Sequence, residues 1–319
     1  MTRRSSRTFV PALVLLLVAL VLAPAATATS PTPVFAGEWG WGEEGGDPGL
    51  VYPGAIATDA AGRVYVADTN HHRIQKFTSN GKHLLTWGWG VLDGSAEFQR
   101  CTADCAEGIS GSGDGQFYWP NGIAVSSTGA VYVADTFNNR IQQFDSGGHF
   151  VRQWGSEGSG ANNFMHPFSI TTDVSGYVYV SDTGNHRVRK FDPEGGSQGG
   201  WGSHGTADGQ LVNPWGIESW GDNIYVADQA NHRIQVFDST GDFLDKWGSE
   251  GTGDGQFKWP SGVAADTAGN IYVIDLGNGA SRSSIRTGCS LPNGVRRVQR
   301  PVSSQAHTTW PPIPSATYS

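Results

Sequence analysis

Apolar and polar positions alternate along this chain in short bursts, never in the long three-and-four spacing of a helix. The clearest stretch begins after Pro120. Gly122 to Val125 is a short apolar run, Ser126 to Gly129 a polar turn, and Val131 to Ala134 a β-branched and aromatic run. Asp135 to Asn139 turns the chain again, and Arg140 to Phe144 alternates, with Ile141 and Phe144 expected inward. A third turn, Asp145 to Gly148, leads into Phe150 to Trp154. The pattern predicts four antiparallel strands, with the proline-headed one innermost and the tryptophan-ended one outermost. Glycine closes most of the turns because it takes positive φ without a steric penalty.

This unit repeats about every 47 residues, headed by Pro120, Pro167, Pro214 and Pro260. Pro53 heads an earlier copy, set apart by an insertion. Four strands in so few residues cannot bury both faces of their sheet, so neighbouring copies must stack. The chain is therefore read as an all-β propeller in which each copy is a four-stranded blade. Phe35 to Gly40 has the spacing of Phe150 to Gly155 with no inner strands before it. It is expected to complete the last blade as a donated outer strand.

The motifs Asp182-Thr183-Gly184-Asn185-His186-Arg187-Val188 and Asp228-Gln229-Ala230-Asn231-His232-Arg233-Ile234, with Gly255-Gln256-Phe257 ahead of Pro260, resemble NHL repeats. The resemblance runs from about Phe35 to Asn278 and implies a six-bladed NHL propeller. Five copies are evident, and the pattern stops after Asn278. The tail from Gly279 to Ser319 has five arginines and no acidic residue. Read one base out of frame, the codons of Gly279 to Gly288 can spell Arg-Arg-Ile-Gln-Lys-Phe-Asp-Pro-Asp-Gly, close to His232 through Gly241. Those of Pro292 to Val295 permit Lys-Trp-Gly, as at Lys246 to Gly248. We expect residues 279–319 to be a frame-shifted, disordered remnant in which the sixth blade is lost; a natural basic tail is the rival.

Arg3, Arg4 and Arg7, the apolar run Phe9 to Ala23 and the small residues Ala26 to Ala28 form an export signal over residues 1–28. Residues 29–278 are then a secreted propeller, held at a membrane only if the signal is uncleaved. The formal charge of −8 conceals a stronger imbalance. Of 21 basic residues, three lie in the signal and five in the tail, leaving 13 against 29 acidic ones in the propeller. Such a field argues against nucleic acid and for a cationic partner, a basic peptide or a divalent cation. No other cofactor is implied. Cys101 and Cys105, inside the insertion Val91 to Gly113, are expected to form a local disulfide. Asp104 and Glu107 alone do not make that loop a metal site.

Asp68, Asp135, Asp182, Asp228 and Asp275 recur, accompanied by Arg73, Arg140, Arg187 and Arg233. A catalytic group is needed once and a scaffold group in every blade, so these pairs, with His72, His186 and His232, are read as scaffold. Function is sought where the copies differ. The residues before the proline are Tyr52, Trp119, His166, Asn213 and Trp259; those after it include Asn121, Phe168 and Trp215. They are expected to ring one mouth of the axial channel as a surface for protein, peptide or carbohydrate, against the alternative of ordinary blade packing. A divalent-metal-dependent lyase or hydrolase at the axis is the second reading, although only His166 is both unrepeated and near it. A non-functional truncated copy is the third.

Overall fold

Each proline-headed copy folds into one antiparallel sheet whose strands follow the chain in order. The structure, a computed structural model, describes residues 49–284 and 295–297. Blade two comprises Pro120–Val125, Val131–Asp135, Arg140–Phe144 and Phe150–Trp154. Blade three runs from Pro167–Thr172 to Ser197–Trp201, and blade four from Pro214–Trp220 to Phe243–Trp247. Blade five begins with Pro260–Ala265 and Ile271–Asp275. The all-β propeller expected from the repeat is thus the fold observed.

Blade one departs from the expected four strands. Its sheet, Ala55–Thr58 through His83–Trp89, gains a fifth strand, Phe98–Cys101, from the insertion. The turn after Trp89 folds back, pairing Trp87 with Arg100 and Thr86 with Cys101. Cys101 and Cys105 are disulfide-bonded with Cα atoms 5.6 Å apart.

The core lies between blades. The second strand of blades one to three is buried at every position; in blades two and three both its faces meet a neighbouring sheet, and in blade one Val64 and Val66 pack with Phe77, Leu50 and Ile56. Trp87, fully buried, packs on Tyr65 of its own blade and Phe144 of the next. The small residue two places after each proline has a steric cause. A Cβ on Gly122 would lie 2.7 Å from the Phe168 carbonyl oxygen, and one on Gly216 2.7 Å from the Gly262 Cα. Inner strands come close enough at these two junctions to admit only glycine, while Ala55 and Ser169 hold the place in blades one and three.

The inner strands of blades one to five pack in sequence, each on the next, and no comparable contact joins the first to the fifth among the described residues. The end blades show it. Pro120–Val125 is buried at five of six positions, Ala55–Thr58 only half-buried throughout, and Pro260–Ala265 buried only at its proline. The sheet continues past Asn278. Ala280–Ser284 pairs with Ile271–Asp275, and Val295–Arg297 pairs with it in turn. Ala280 stands opposite Asp275, where Arg233 stands opposite Asp228. The rest of the tail, the signal and Phe35 to Gly40 lie outside the described residues.

Candidate functional site

The repeated aspartates come first, because they set the geometry around them. All five are fully buried. Asp135 accepts the Tyr118 N–H at 2.7 Å on one oxygen, and Arg140 Nε, Asn138 Nδ2 and Gln142 Nε2 at 2.7 to 3.0 Å on the other. Arg140 then reaches the carbonyls of Ser112, Gly113 and Gln116 in the incoming connector. Arg187 does the same to Ser159, Gly160 and Asn163, and Arg233 to Thr206, Ala207 and Gln210. Asp68 takes Arg73 Nε at 2.8 Å, with His71 in the place of the asparagine. In blades two to four each pair ties a tight turn to the connector entering its blade, and in blade one Arg73 reaches the carbonyls of Gly49, Cys105 and Ala106.

The residues before the arginines join one blade to the next. His72, Asn139, His186 and His232 all adopt the left-handed conformation, with φ of 49 to 56°. Their side chains accept the backbone N–H of the next blade's pre-proline residue. His72 Nδ1 takes Trp119 at 3.4 Å, Asn139 Oδ1 takes His166 at 2.8 Å, and His186 and His232 Nδ1 take Asn213 and Trp259 at 3.1 Å. A residue before proline is ordinarily pushed into extended backbone. Here Tyr52, Trp119, His166, Asn213 and Trp259 instead all have φ of 48 to 57°. For the last four, the link from the preceding blade helps to hold that unusual geometry. Thr69, Thr136 and Thr183 add hydroxyl bonds to the carbonyls of Pro120, Pro167 and Pro214, at 2.6 to 2.7 Å.

These links require a neutral imidazole. Burial holds His72 below the ordinary histidine value, helped by the neighbouring His71. Burial likewise lowers His186, helped by His204, whose ring centroid is 4.7 Å away. A base depressed in the folded state binds fewer protons there than when unfolded. Stability should therefore fall as pH drops through the unfolded value of about 6.5, until the folded values are passed. Asn139 shows that asparagine makes the same link, and asparagine tolerates the left-handed conformation. The double variant His72→Asn, His186→Asn is expected to lose less stability than the parent between about pH 7.5 and about pH 5. Thermal melts at the two pH values check it; equal losses would show that these imidazoles do not carry the acid sensitivity.

The pre-proline side chains stand at equivalent backbone places and differ in what they offer. Phe137 stands at the centre of a continuous aromatic group, its ring centroid 5.3 Å from Tyr118, 5.3 Å from Trp119 and 5.6 Å from His166. Tyr52 is 57% exposed and Trp259 50%, so neither is committed to core packing. Phe168 and Trp215 stack across the junction of blades three and four at 4.4 Å. Asn121 is buried, its amide donating to Thr136 Oγ1 and the Trp119 carbonyl; Asn213 is half-buried. Sequence reasoning passed over Tyr118 and Phe137. Phe137 had a signal, since the other copies carry Asn70, Gly184, Ala230 and Gly277 there.

Glu218 was also missed. It lies on the innermost strand of blade four, half-buried, where the other copies have Ala57, Ala124, Thr171 and Ala264. Burial between the inner strands pushes its carboxyl up to about 8, against the lowering effect of the Ala265 backbone N–H. Among the described residues, no group of three or more His, Cys, Asp or Glu is placed to hold a metal.

A family model described as NHL repeat matches residues 50–77, 117–144 and 164–191, and one described as 6-bladed beta-propeller matches 205–280. With five such sheets in a common register, the molecule is a repeat propeller whose blades are joined through the histidine or asparagine that precedes each repeated arginine. The chain belongs to the NHL-repeat β-propeller family. It is 33% identical to the peptidylglycine alpha-amidating monooxygenase of Rattus norvegicus over 109 residues, which are 33% of this chain and 9% of that protein. It is 34% identical to NHL repeat-containing protein 2 of Gallus gallus over 97 residues, 30% of this chain and 11% of that one. The chain thus spans about a tenth of the length of these relatives. Among solved structures, a virginiamycin B lyase from Staphylococcus aureus with quinupristin aligns with a TM-score of 0.52 at 13% identity, covering 77% of this chain and 69% of that one. An auxiliary nutrient binding protein from Bacteroides ovatus aligns at 0.52 and 15%, covering 73% and 59%. At such identities the likeness shows the fold alone.

Proposed function

We propose that this propeller is an exported interaction module that takes a peptide, protein or carbohydrate at the mouth built around Trp119, Phe137 and His166. One observation carries the reading: the pre-proline place keeps the same left-handed backbone in five copies while its side chain changes from tyrosine to tryptophan, histidine and asparagine. Packing alone would favour one residue at a repeated place. Aromatic faces with nearby polar groups suit sugar rings and peptide side chains. The acidic propeller favours a basic partner and disfavours nucleic acid. A panel of basic peptides and neutral oligosaccharides, followed by tryptophan fluorescence, tests this. Trp119→Ala with Trp259→Ala should weaken the best binder at least ~10-fold, the loss of about 1.4 kcal/mol, with melting little changed. Undiminished binding would remove the mouth from consideration.

Glu218 favours a second reading, a hydrolase or lyase working at the axis. A carboxyl held near 8 is protonated at neutral pH and suited to donate a proton. The same Trp variants would then leave turnover intact and Glu218→Gln would abolish it.

The frame-shifted tail remains part of the proposal. Its support is one of register: the shifted frame permits arginine at position 280, opposite Asp275, where Arg233 stands opposite Asp228 in blade four. Resequencing the codons from Asp275 to Gly288 tests it: an extra base restores a sixth blade, and its absence leaves a genuine truncation.

A further inference from the structure

The outer edges of the blades differ in how they are closed. Blade one covers its own edge with the fifth strand Phe98–Cys101, which shows that this propeller geometry accepts an added antiparallel strand there. Blade two presents Val151, Arg152 and Gln153, and blade four Leu244, Asp245 and Lys246, all exposed. Charged side chains along an edge discourage further pairing. Blade three has Ser197-Gln198-Gly199-Gly200-Trp201 at the same place, with Gln198, Gly199 and Gly200 exposed and no charge among them.

Beside this bare strand is a cavity of about 210 Å³. Its cause is visible in the repeat. The place of Gly199 is held by Leu85 in blade one, Arg152 in blade two and Asp245 in blade four, opposite Lys76, Gln143 and Val236. Glycine leaves that volume empty next to Lys190. The lysine ammonium bonds the Ser239 carbonyl at 2.8 Å and lies 4.3 Å from the centre of the Tyr177 ring. It is the one charged residue lining the cavity, beside the Ser239 and Thr240 hydroxyl groups and the Trp201 ring. Asp192 and Asp238 hold the lining residues Gln198 and Thr240, and Lys190 supplies the positive charge among the lining residues.

The geometry points to this edge as a docking strand for an extended partner peptide whose carboxylate side chain enters the cavity at Lys190. Backbone pairing at Gly200 and Trp201, beside the break in register at Gly199, supplies affinity, and the cavity selects the side chain. The site is on the rim of the ring and is independent of the aromatic mouth.

The test uses the whole protein and three blocked peptides. One is Thr-Val-Glu-Val-Thr, the second has lysine in place of glutamate, and the third is the glutamate peptide N-methylated at alternate amides. The glutamate peptide should bind at least ~10-fold more tightly than either of the others, shifting the amide resonances of Gly199 and Gly200. Lys190→Glu should reverse the preference between the first two, and Trp119→Ala should leave it unchanged. Because Lys190 also braces Ser239, Lys190→Met keeps the stem without the charge and should erase the preference without reversing it. Failure of the glutamate peptide to bind, indifference to N-methylation, or an unchanged preference in both Lys190 variants would each overturn the proposal.

Discussion

Asp228→Ala is expected to destabilise the propeller by about 3–5 kcal/mol, the usual effect of removing one partner from a buried ion pair. The aspartate is fully buried and accepts from the Val212 N–H, Asn231, Arg233 Nε and Gln235 at 2.7 to 3.0 Å. Its loss strands the Arg233 charge and leaves the Val212 N–H without this acceptor. Arg233 also secures three connector carbonyls, so the damage would extend to the strand entering blade four. Asp228→Asn keeps an acceptor for Val212 and should cost roughly half as much. The exposed pair Lys246 and Asp208 supplies the contrast. Asp208→Ala should change stability by less than about 1 kcal/mol, because water screens both partners. Urea unfolding of the three variants measures the differences. Equal effects at Asp228 and Asp208 would mean that the aspartate–arginine turn is not what holds the connectors.

Glu218→Gln is expected to act in the other direction and to depend on pH. A carboxyl raised from 4.5 to about 8 holds its proton in the folded protein long after the unfolded chain has released it. The folded state then binds more protons, so stability falls as pH rises through 4.5 towards 8 and is level outside that window. At about 1.4 kcal/mol per unit, the upper limit of the loss is roughly 5 kcal/mol, and access to water from the axis reduces it. Glutamine has nothing to ionise. The variant should match the parent in acid and exceed it above about pH 8, by on the order of 2–4 kcal/mol. Parallel stability curves across that range would show that Glu218 ionises without penalty. The contributions of His72 and His186 have the opposite slope, falling towards acid.

The parts of this molecule legible in its sequence are those written more than once. The strand pattern, the Asp-to-Arg turn and the Trp-Gly ending recur, and repetition separates a backbone requirement from an accident. The recurring histidines were legible as scaffold, but not as links to the next blade, because their partner is a backbone N–H about 27 residues away that carries no side-chain signature. Single events were harder. Phe137 and Glu218 show only when five copies are laid in register, and Glu218 interrupts a column of small residues that reads as packing. The fifth strand of blade one was hidden within an insertion whose two cysteines drew attention to a disulfide. Asn121 had the right place for a mouth residue, but its amide is engaged by Thr136 and Trp119.

The histidine and asparagine links all run one way, from each blade to the one that follows. The series starts at His72 and ends at Trp259, and in blade five the corresponding place is Gly279, which has no side chain to pass it on. Blades coupled only to their neighbours behave as a row of units, in which removing one at an end leaves the other couplings intact. The described five therefore form an arc whose four inner joints do not depend on closure. Such an arc opens like a zip, from its free ends inward, and the middle blade is the last to be released.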